Sequence, residues 1–412
     1  GERPAGGGFW WDFALALGYS ALAMMAVQFW LTARFKHASA PFGVDILYYF
    51  HRYLALVAFG VIVLHAGVLL WRYRPTLGGF DPRTMPGYML AGWIALSGFA
   101  LLLASSLWRK PLRIEYDRWR RLHVLVAVAA MVAAVWHIQG SAYYLADPGK
   151  HALWTVLALS WIGLLLYVRL WRPWRLRRQP WTVESVTRER GRSWTLRLRP
   201  QSGAVFDYAA GQFAWLTLRA SPWSLREHPF SFASAPTRNG HVEFTVKELG
   251  DFTSRIGEIQ PGDTAFVDGP YGSFGIEHTP DARGAVFLAG GVGIAPIISQ
   301  LRTLADRGDA RPLWLFYGNR SWDRVVFREE IDALATRLDL TVVHVLSEPP
   351  ADWTGERGFI TPDVLARHLP TDSTGLHAFV CGPTPMIRLV ERGLGALGMP
   401  LARVHSEIFD LA

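Results

Sequence analysis

Cysteine is almost absent from this chain of 412 residues, which contains only Cys381. A single cysteine excludes an internal disulfide and leaves two interpretations of Cys381, a small buried thiol or part of a site. No apolar run of about 20 residues follows residue 172, so the second half lacks a candidate membrane-spanning helix. We expect Gly1–Gly8 to be a flexible lead and not a signal peptide, and a sixth span before residue 1 is left open.

Acidic residues are scarce in the first half of the chain. Residues 1–180 hold 7 of them against 19 lysines and arginines, whereas residues 181–412 hold 27 against 23. The net charge of +8 therefore comes from the first half. A basic chain can bind nucleic acid, but these lysines and arginines gather at the ends of apolar runs. Membrane lipid is therefore the expected electrostatic partner, and nucleic acid is not.

Five apolar runs long enough to cross a bilayer precede residue 172. They are Phe9–Ala33, Ile46–Trp71, Tyr88–Leu107, Leu122–Tyr144 and Ala152–Leu170. In the flanking segments, 13 lysines and arginines lie on one side of the predicted membrane and 5 on the other. The more positive side should be cytoplasmic, and the rest of the chain follows it there. We expect a multi-pass protein of the cell membrane.

Four histidines form two pairs with the same spacing of 14 residues, His51 with His65 and His123 with His137. On an α-helix this spacing turns through about 1400° and rises about 21 Å, so both histidines of a pair share one face. Two such helices side by side would offer two imidazole pairs, each able to bind a haem iron from both sides. The alternative is four histidines satisfied by hydrogen bonds between helices. The repeated spacing favours two b-type haems.

The predicted orientation decides how the histidines pair across the two helices. Both helices run outward, so His51 and His123 form the inner haem site and the other two form the outer one. Arg52 and the cluster Arg118–Arg121 lie near the inner site, where they neutralise haem propionates or reach lipid phosphate instead. With both axial positions filled, an acceptor must take its electron at the haem edge.

The pattern of the sequence changes twice after the last apolar run. From residue 179, short β-branched and aromatic runs, the first at Trp181–Arg188 and Ser193–Leu198, predict a small antiparallel barrel. From residue 282, strands alternate with helical stretches, as in a doubly wound nucleotide-binding domain. The predicted strands of this domain are Ala285–Ala289, Leu313–Tyr317, Thr341–Val345 and Ala378–Val380.

Two stretches of the predicted barrel indicate a flavin nucleotide. The sequence HPFSFASAP at residues 228–236 places an aromatic ring beside a hydroxyl, so the ring can stack on a flavin while Ser231 reaches a polar edge. The alternative is an ordinary core strand. Lys247 and the run GDFTS at residues 250–254 offer a cation, amides and hydroxyls to a pyrophosphate.

A glycine-rich turn indicates a nicotinamide nucleotide. The sequence GGVGIAP at residues 290–296 follows a predicted strand, and such a turn brings backbone amides against a dinucleotide phosphate. The sequence CGP at residues 381–383 ends the last predicted strand, at the sheet edge where ligands bind. Arg320 follows another strand, where a cation can meet a 2′-phosphate, so we expect NADPH. The alternative for Arg320 is a solvated surface residue.

In this order, the motifs resemble the NADPH oxidase and ferric reductase superfamily over essentially the whole chain, and the cytoplasmic half also resembles ferredoxin-NADP reductases. The resemblance includes GPYGSFG at residues 269–275 and the near-terminal aromatic Phe409. It implies that FAD is held by His228, Pro229, Phe230 and Ser231, with Lys247, Gly250 and Thr253 near its pyrophosphate. It implies that the nicotinamide nucleotide is lined by Gly290, Gly291, Gly293 and Pro296. It places Cys381, Gly382 and Pro383 near the hydride-transfer point.

The resemblance also assigns Phe409 to the flavin ring, which it would cover until the nicotinamide displaces it. Three further residues follow Phe409 here, which departs from the family pattern, and five spans are found where the family usually has six. The chain has no calcium-binding hand, acidic insertion or long extracytoplasmic loop. It therefore resembles the minimal prokaryotic members, and we expect constitutive activity without an obligatory regulatory subunit.

Three domains are expected: an α-helical transmembrane di-haem bundle (1–178), an antiparallel β-barrel that binds FAD (179–281) and a Rossmann-like α/β domain that binds NADPH (282–412). A nicotinamide gives two electrons as hydride and a haem iron accepts one, so FAD would convert between them. The expected function is transmembrane electron transfer from NADPH to O2, with superoxide as product. The alternatives are a ferric or cupric reductase, an electron donor to an extracytoplasmic protein, and an oxygenase reductase merely anchored by its spans.

The extracytoplasmic segments favour O2 over ferric iron as the acceptor. Their candidate metal ligands are sparse, chiefly Asp81, Asp147 and His151. Basic residues such as Arg72 and Arg74 would disfavour a bare cation and attract a developing superoxide anion. An anionic ferric chelate would be attracted by the same charge, so electrostatics alone leaves this alternative open.

Overall fold

The computed structural model describes residues 8–35, 44–75, 77, 81–141, 144–203, 205–236, 240–373 and 375–408. Phe409, which the resemblance assigns to the flavin ring, lies outside this part of the chain, as do Arg3 and Lys36, two of the residues in the charge comparison across the membrane. The chain forms two compact units, a membrane unit that ends at Pro173 and a second unit that begins at Trp174. The predicted domain boundaries after residues 178 and 281 stay predictions.

Five helices in the described ranges are long and apolar enough to cross a membrane, which confirms the predicted spans. They are α1 (Phe9–Thr32), α2 (Val44–Tyr73), α3 (Gly87–Trp108), α4 (Tyr116–Ser141) and α5 (Pro148–Leu166). Helix α4 begins at Tyr116 and not at Leu122, because arginine is a good helix former and continues the helix beyond the apolar run. Asp147 caps α5, its carboxylate accepting from the amide of Lys150 at 2.9 Å.

Small residues let the membrane helices approach closely. A Cβ built on Gly98 of α3 would lie 2.8 Å from the Cβ of Ala130 in α4. A Cβ on Gly140 of α4 would collide with the side chain of Tyr88 in α3. Close backbone approach at glycine and alanine is how helices pack in lipid, where apolar burial gives little drive. A π-helical stretch and the short helix α6 (Arg172–Arg177) follow α5.

The second unit opens with a six-stranded antiparallel sheet in the order β4-β3-β6-β1-β2-β5. Its strands are β1 (Trp181–Glu189), β2 (Ser193–Pro200), β3 (Phe213–Leu218), β4 (His228–Ser231), β5 (Val242–Lys247) and β6 (Thr264–Tyr271). An antiparallel bridge between Phe232 and Phe244 joins the two edges, so the sheet curls on itself. Both rings are fully buried in its core, which confirms the predicted antiparallel fold.

A six-stranded parallel sheet follows in the order β10-β9-β8-β7-β11-β12. Its strands are β7 (Gly284–Gly290), β8 (Leu313–Asn319), β9 (Leu340–Leu346), β10 (Glu356–Arg357), β11 (Leu376–Gly382) and β12 (Val404–Ile408). Its helices are α7 (Ile294–Arg307), α8 (Arg328–Ala335), α9 (Pro362–His368) and α10 (Thr384–Ala396). The strand order reverses beside β7, so the carboxyl ends of β7 and β11 meet where open α/β sheets bind ligands. Strands β10 and β12 were not predicted.

Candidate functional site

Strand β4 carries the predicted flavin residues along the edge of the antiparallel sheet. Pro229 lies opposite Trp215 of β3, and Ser231 lies opposite Phe213. Ser231 is only 4% exposed, and its hydroxyl has no hydrogen-bond partner within the described ranges. A buried hydroxyl left without a partner is costly, so Ser231 fits a site completed by a polar ligand edge, such as that of a flavin.

Phe252 packs against two of the predicted flavin residues, although no sequence pattern singled it out. The ring of His228 stacks on the ring of Phe252 with centroids 3.9 Å apart and an interplanar angle of 17°. The ring of Phe230 lies 6.2 Å from the same phenyl ring. The run at residues 250–254 therefore contributes an aromatic platform as well as polar groups.

The predicted pyrophosphate residues divide between two roles. The amide of Gly250 donates to the hydroxyl of Thr253 at 2.9 Å, so these two residues hold each other in a turn. Lys247 is half-buried, and burial lowers the pKa of its ammonium group, with Arg324 and Arg192 adding to the effect. The Lys247 ammonium would lie 3.6 Å from a Cβ built on Gly291. It therefore reaches the glycine-rich turn and can serve a phosphate of either nucleotide.

The glycine-rich turn and the CGP motif, which begin 91 positions apart in the sequence, are in direct contact. A Cβ on Gly290 would lie 2.6 Å from Met386 Sδ and 2.8 Å from Pro383 Cδ. A Cβ on Gly382 would lie 3.1 Å from the amide nitrogen of Gly290. Gly291 has a φ of 54°, in the left-handed region that favours glycine, and its carbonyl accepts from the Tyr317 hydroxyl at 3.2 Å. Gly290 and Gly382 are therefore required by close packing, and Gly291 by its backbone conformation.

Cys381 is fully buried at the carboxyl end of β11, opposite Ala289 of β7. Burial raises the pKa of its thiol well above the usual value, and the carboxylate of Glu407 raises it further. A neutral thiol is a poor nucleophile. Cys381 is therefore a small neutral group at the rim of the nucleotide site, and a role in hydride transfer stays a prediction. Pro296 is buried in the first turn of α7.

Arg320 follows β8 as expected, but another side chain already engages its guanidinium group. Its Nε donates to the Glu348 carboxylate at 2.8 Å, and the side chains are 59% and 60% exposed. The amide of Glu348 also donates to the Arg320 carbonyl at 2.7 Å. A 2′-phosphate would have to compete with Glu348 for this arginine. Phe409, the other residue predicted to act on the nucleotide, lies outside the described residues.

In the membrane unit, the four histidines face each other in the expected pairs. The ring centroids of His51 and His123 are 6.4 Å apart, and those of His65 and His137 are also 6.4 Å apart. A metal held by one nitrogen of each ring, at about 2 Å from each, requires centroids about 6 Å apart. The spacing of both pairs therefore fits two haem irons, although iron binding itself stays a prediction. No cluster of three or more candidate metal ligands occurs in the part of the chain that the structure describes.

The outer and inner histidine pairs differ in the hydrogen bonding of Nδ1. His65 Nδ1 donates to the carbonyl of Ala14 at 2.6 Å, and His137 Nδ1 donates to the carbonyl of Tyr88 at 2.9 Å. A carbonyl oxygen can only accept, so Nδ1 carries the hydrogen and Nε2 keeps its lone pair for a metal. Among the described residues, the buried Nδ1 atoms of His51 and His123 have no hydrogen-bond partner.

This geometry defines a flavin- and nicotinamide-nucleotide-dependent reductase built onto a helical membrane domain. Three family profiles match the sequence: "Ferric reductase like transmembrane component" at residues 17–134, "FAD-binding domain" at 193–274 and "Oxidoreductase NAD-binding domain" at 287–392. The chain has the domain architecture of the NADPH oxidase and ferric reductase superfamily, with a ferredoxin-NADP reductase-like half. It is a membrane oxidoreductase whose reductase half lies in the cytoplasm.

Several curated relatives are similar to about half of this chain. The reductase component of propane 2-monooxygenase from Mycolicibacterium smegmatis is 33% identical over 57% of this chain and 67% of its own length. Ferredoxin-NADP reductase B from Sorangium cellulosum is 32% identical over 50% of this chain and 88% of its own. A solved ferredoxin reductase of carbazole 1,9a-dioxygenase superposes with a TM-score of 0.50 at 24% identity, covering 56% of this chain and 69% of its own, which shows the fold alone. Other curated relatives are matched over 60–63% of their length.

Proposed function

We propose that the chain transfers electrons from cytoplasmic NADPH across the membrane to extracytoplasmic O2 and so produces superoxide. FAD and two b-type haems are the groups that the residues fit; when bound, they supply the change from hydride to single-electron transfer. His51 with His123 and His65 with His137 would hold the haems. Ser231 and the stacked His228 and Phe252 would orient the flavin.

A cavity beside the outer ends of α2 and α3 is the observation that supports O2 as the electron acceptor. It has a volume of about 460 Å³ and is lined by Leu70, Arg74, Pro82, Met85, Leu90 and Trp93. Five of these six side chains are apolar, which suits a small neutral molecule. The single cation, Arg74, suits an anion that forms from it.

Two carboxylates on this side of the membrane unit, Asp81 and Asp147, have structural roles. Asp81 accepts from the amide of Arg83 at 2.9 Å, and Asp147 caps α5. Each is therefore committed to its local turn or helix end, and neither contributes to a chelating cluster. This supports O2 over a free ferric or cupric ion. An anionic ferric chelate, which Arg74 would also attract, and an extracytoplasmic acceptor protein are outcomes that the experiment must separate.

The test uses the purified full chain in detergent, loaded with FAD and haem. NADPH-driven reduction of cytochrome c is measured with and without superoxide dismutase, and ferric-chelate reduction is measured under argon. Superoxide production predicts that dismutase removes most of the cytochrome c signal and that ferric-chelate reduction under argon is slow. Dismutase-insensitive reduction together with fast anaerobic ferric reduction would assign the protein to the metalloreductases. Slow turnover with every small acceptor would indicate a protein acceptor.

A further inference from the structure

The two outer histidines meet their carbonyl partners in the same way. His65 of α2 bonds to Ala14 of α1, and His137 of α4 bonds to Tyr88 of α3. The carbonyl at position i of an α-helix normally accepts from the amide at i+4 and keeps a second lone pair. Both acceptors are thus helix carbonyls that take an additional hydrogen bond from a neighbouring helix.

A glycine stands four residues after each acceptor carbonyl. Gly18 follows Ala14, and Gly92 follows Tyr88. A Cβ built on Gly18 would lie 2.9 Å from both Nδ1 and Cε1 of His65. A Cβ built on Gly92 would lie 2.7 Å from Nδ1 of His137. Real Cβ atoms do not approach a ring so closely, so any other residue at either position would displace the imidazole from the carbonyl.

We propose that Gly18 and Gly92 are positioning residues for the outer haem ligands. By lacking a side chain, each opens one helix carbonyl to the neighbouring imidazole, which fixes the hydrogen on Nδ1 and directs Nε2 toward the partner histidine. This inference rests on the proposed haem-binding function. Two glycines on two helices, each at the same offset from an acceptor carbonyl, form a repeated device that the inner pair lacks among the described residues.

A chemical asymmetry between the two haem sites follows. A hydrogen bond from Nδ1 to a carbonyl makes the imidazole a stronger donor to iron and stabilises the ferric state. The outer ligands are therefore held in orientation and made more basic. An iron with such ligands is a stronger reductant, which suits one-electron transfer to O2. Loss of either carbonyl bond should raise the midpoint potential of the outer haem and leave the inner haem unchanged.

The test compares Gly18→Ala and Gly92→Ala with Gly60→Ala and Gly67→Ala. The two control glycines lie in α2, the helix of His51 and His65, and a Cβ on either would meet nothing within 4 Å. Haem content, the low-spin EPR signals and the two midpoint potentials are measured on the full chain in detergent. The outer signal is assigned as the one lost in His65→Ala. We expect the outer haem to bind about 10- to 100-fold more weakly in the two test variants, with a raised potential and a shifted EPR signal.

The inference is overturned if the outer haem of Gly18→Ala and Gly92→Ala matches that of the two controls. Absence of haem from the wild-type protein would instead contradict the proposed function, so the two failures are distinguishable. If Gly18→Ala does not fold, the double variant Gly18→Ala with His65→Ala decides. Without the His65 imidazole, the Cβ introduced by Gly18→Ala no longer meets a ring. The double variant should therefore fold and contain as much inner haem as the single variant His65→Ala. A double variant that still fails to fold would show that Gly18 serves helix packing and not the ligand.

Discussion

Gly293 lies against the backbone of Cys381, so that a Cβ built on this glycine would collide with the Cys381 carbonyl. The contact joins the glycine-rich turn after β7 to the end of β11. It leaves no room for any side chain between the two strands. The third glycine of the turn is therefore required by packing between strands as well as by access of a nucleotide phosphate.

Gly293→Ala should lower both stability and nucleotide binding. Because the obstructing atoms belong to the backbone, the turn must shift, and overpacking of this kind costs about 1–3 kcal/mol or more. Thermal unfolding of the flavin-loaded protein and the Kd for NADPH would measure the effect. Gly395→Ala is the control, since a Cβ at this position in α10 meets nothing within 4 Å. Equal behaviour of the two variants would contradict the packing argument.

Replacement of His65 or His137 should remove only the outer haem. His51 and His123 lie on other turns of the same helices, and the FAD- and NAD-binding domains belong to the other unit. Haem quantitation per chain and stopped-flow flavin reduction would check both parts. A wild-type content of one haem per intact chain would contradict the assignment of two pairs.

Arg320→Ala should reduce the preference for NADPH over NADH, measured as the ratio of the two kcat/KM values. Glu348→Gln should increase the preference, because it releases the guanidinium group from the carboxylate that accepts from it at 2.8 Å. Arg357→Ala, which changes another exposed arginine of the same sheet, is a control. If selectivity is unaltered in both Arg320→Ala and Glu348→Gln, the 2′-phosphate is bound elsewhere.

Phe409→Ser should strengthen nicotinamide binding or change its selectivity. Hydride transfer requires the nicotinamide to lie flat on the flavin at about 3 to 3.5 Å, so an aromatic already stacked there must leave first. If Phe409 covers the flavin as the resemblance implies, its loss should also weaken FAD retention. Titrations with NADP⁺ and NAD⁺ and measurement of released FAD would test this. Wild-type values for all three quantities would place the ring away from the flavin.

Arg302→Ala should destabilise the second unit. The side chain of Arg302 is 20% exposed and binds Glu330 at 2.6 Å and Glu243 at 2.8 Å. Its removal leaves the half-buried Glu330 without this partner and leaves Glu243 paired with Arg197 alone, which should cost about 1–3 kcal/mol. Arg337→Ala is the control, because the ion pair of Arg337 with Asp306 is exposed and its loss costs about 0.2–1 kcal/mol. Chemical unfolding followed by flavin fluorescence gives both values, and similar losses would contradict the expectation.

The same ion pairs predict a dependence on pH. Burial raises the pKa of Glu243, but Arg302 and Arg197 outweigh this effect and hold the pKa below its usual value. A carboxylate whose pKa is depressed by folding stabilises the native state above its unfolded pKa of about 4.3, and this contribution is lost as the pH falls through the folded value. The stability difference between wild type and Arg302→Ala should therefore narrow below about pH 4. A constant difference would exclude Glu243 as the source.

Features that depend on local pattern could be predicted from the amino-acid sequence alone. Apolar runs fixed the five spans, the 14-residue spacing fixed which histidines share a helix face, and strand patterns fixed the two sheets. Helix ends were less well predicted, as at Tyr116, because hydropathy does not report where a polar helix turn begins. The short strands β10 and β12 were not predicted, because two and five residues are too few to show a clear alternating pattern.

Contacts between segments distant in the sequence became known only from the folded chain. It brought Ala14 to His65 and Tyr88 to His137, and it paired Arg320 with Glu348. In the sequence, nothing distinguishes Gly18 and Gly92 from other glycines of apolar helices. Their importance follows from the imidazole that lies beside each in the structure. Every residue has a backbone carbonyl, and a glycine has no reactive side chain, so residue type alone marks neither group as functional. Their roles therefore arise only where another helix approaches, which sequence periodicity does not encode.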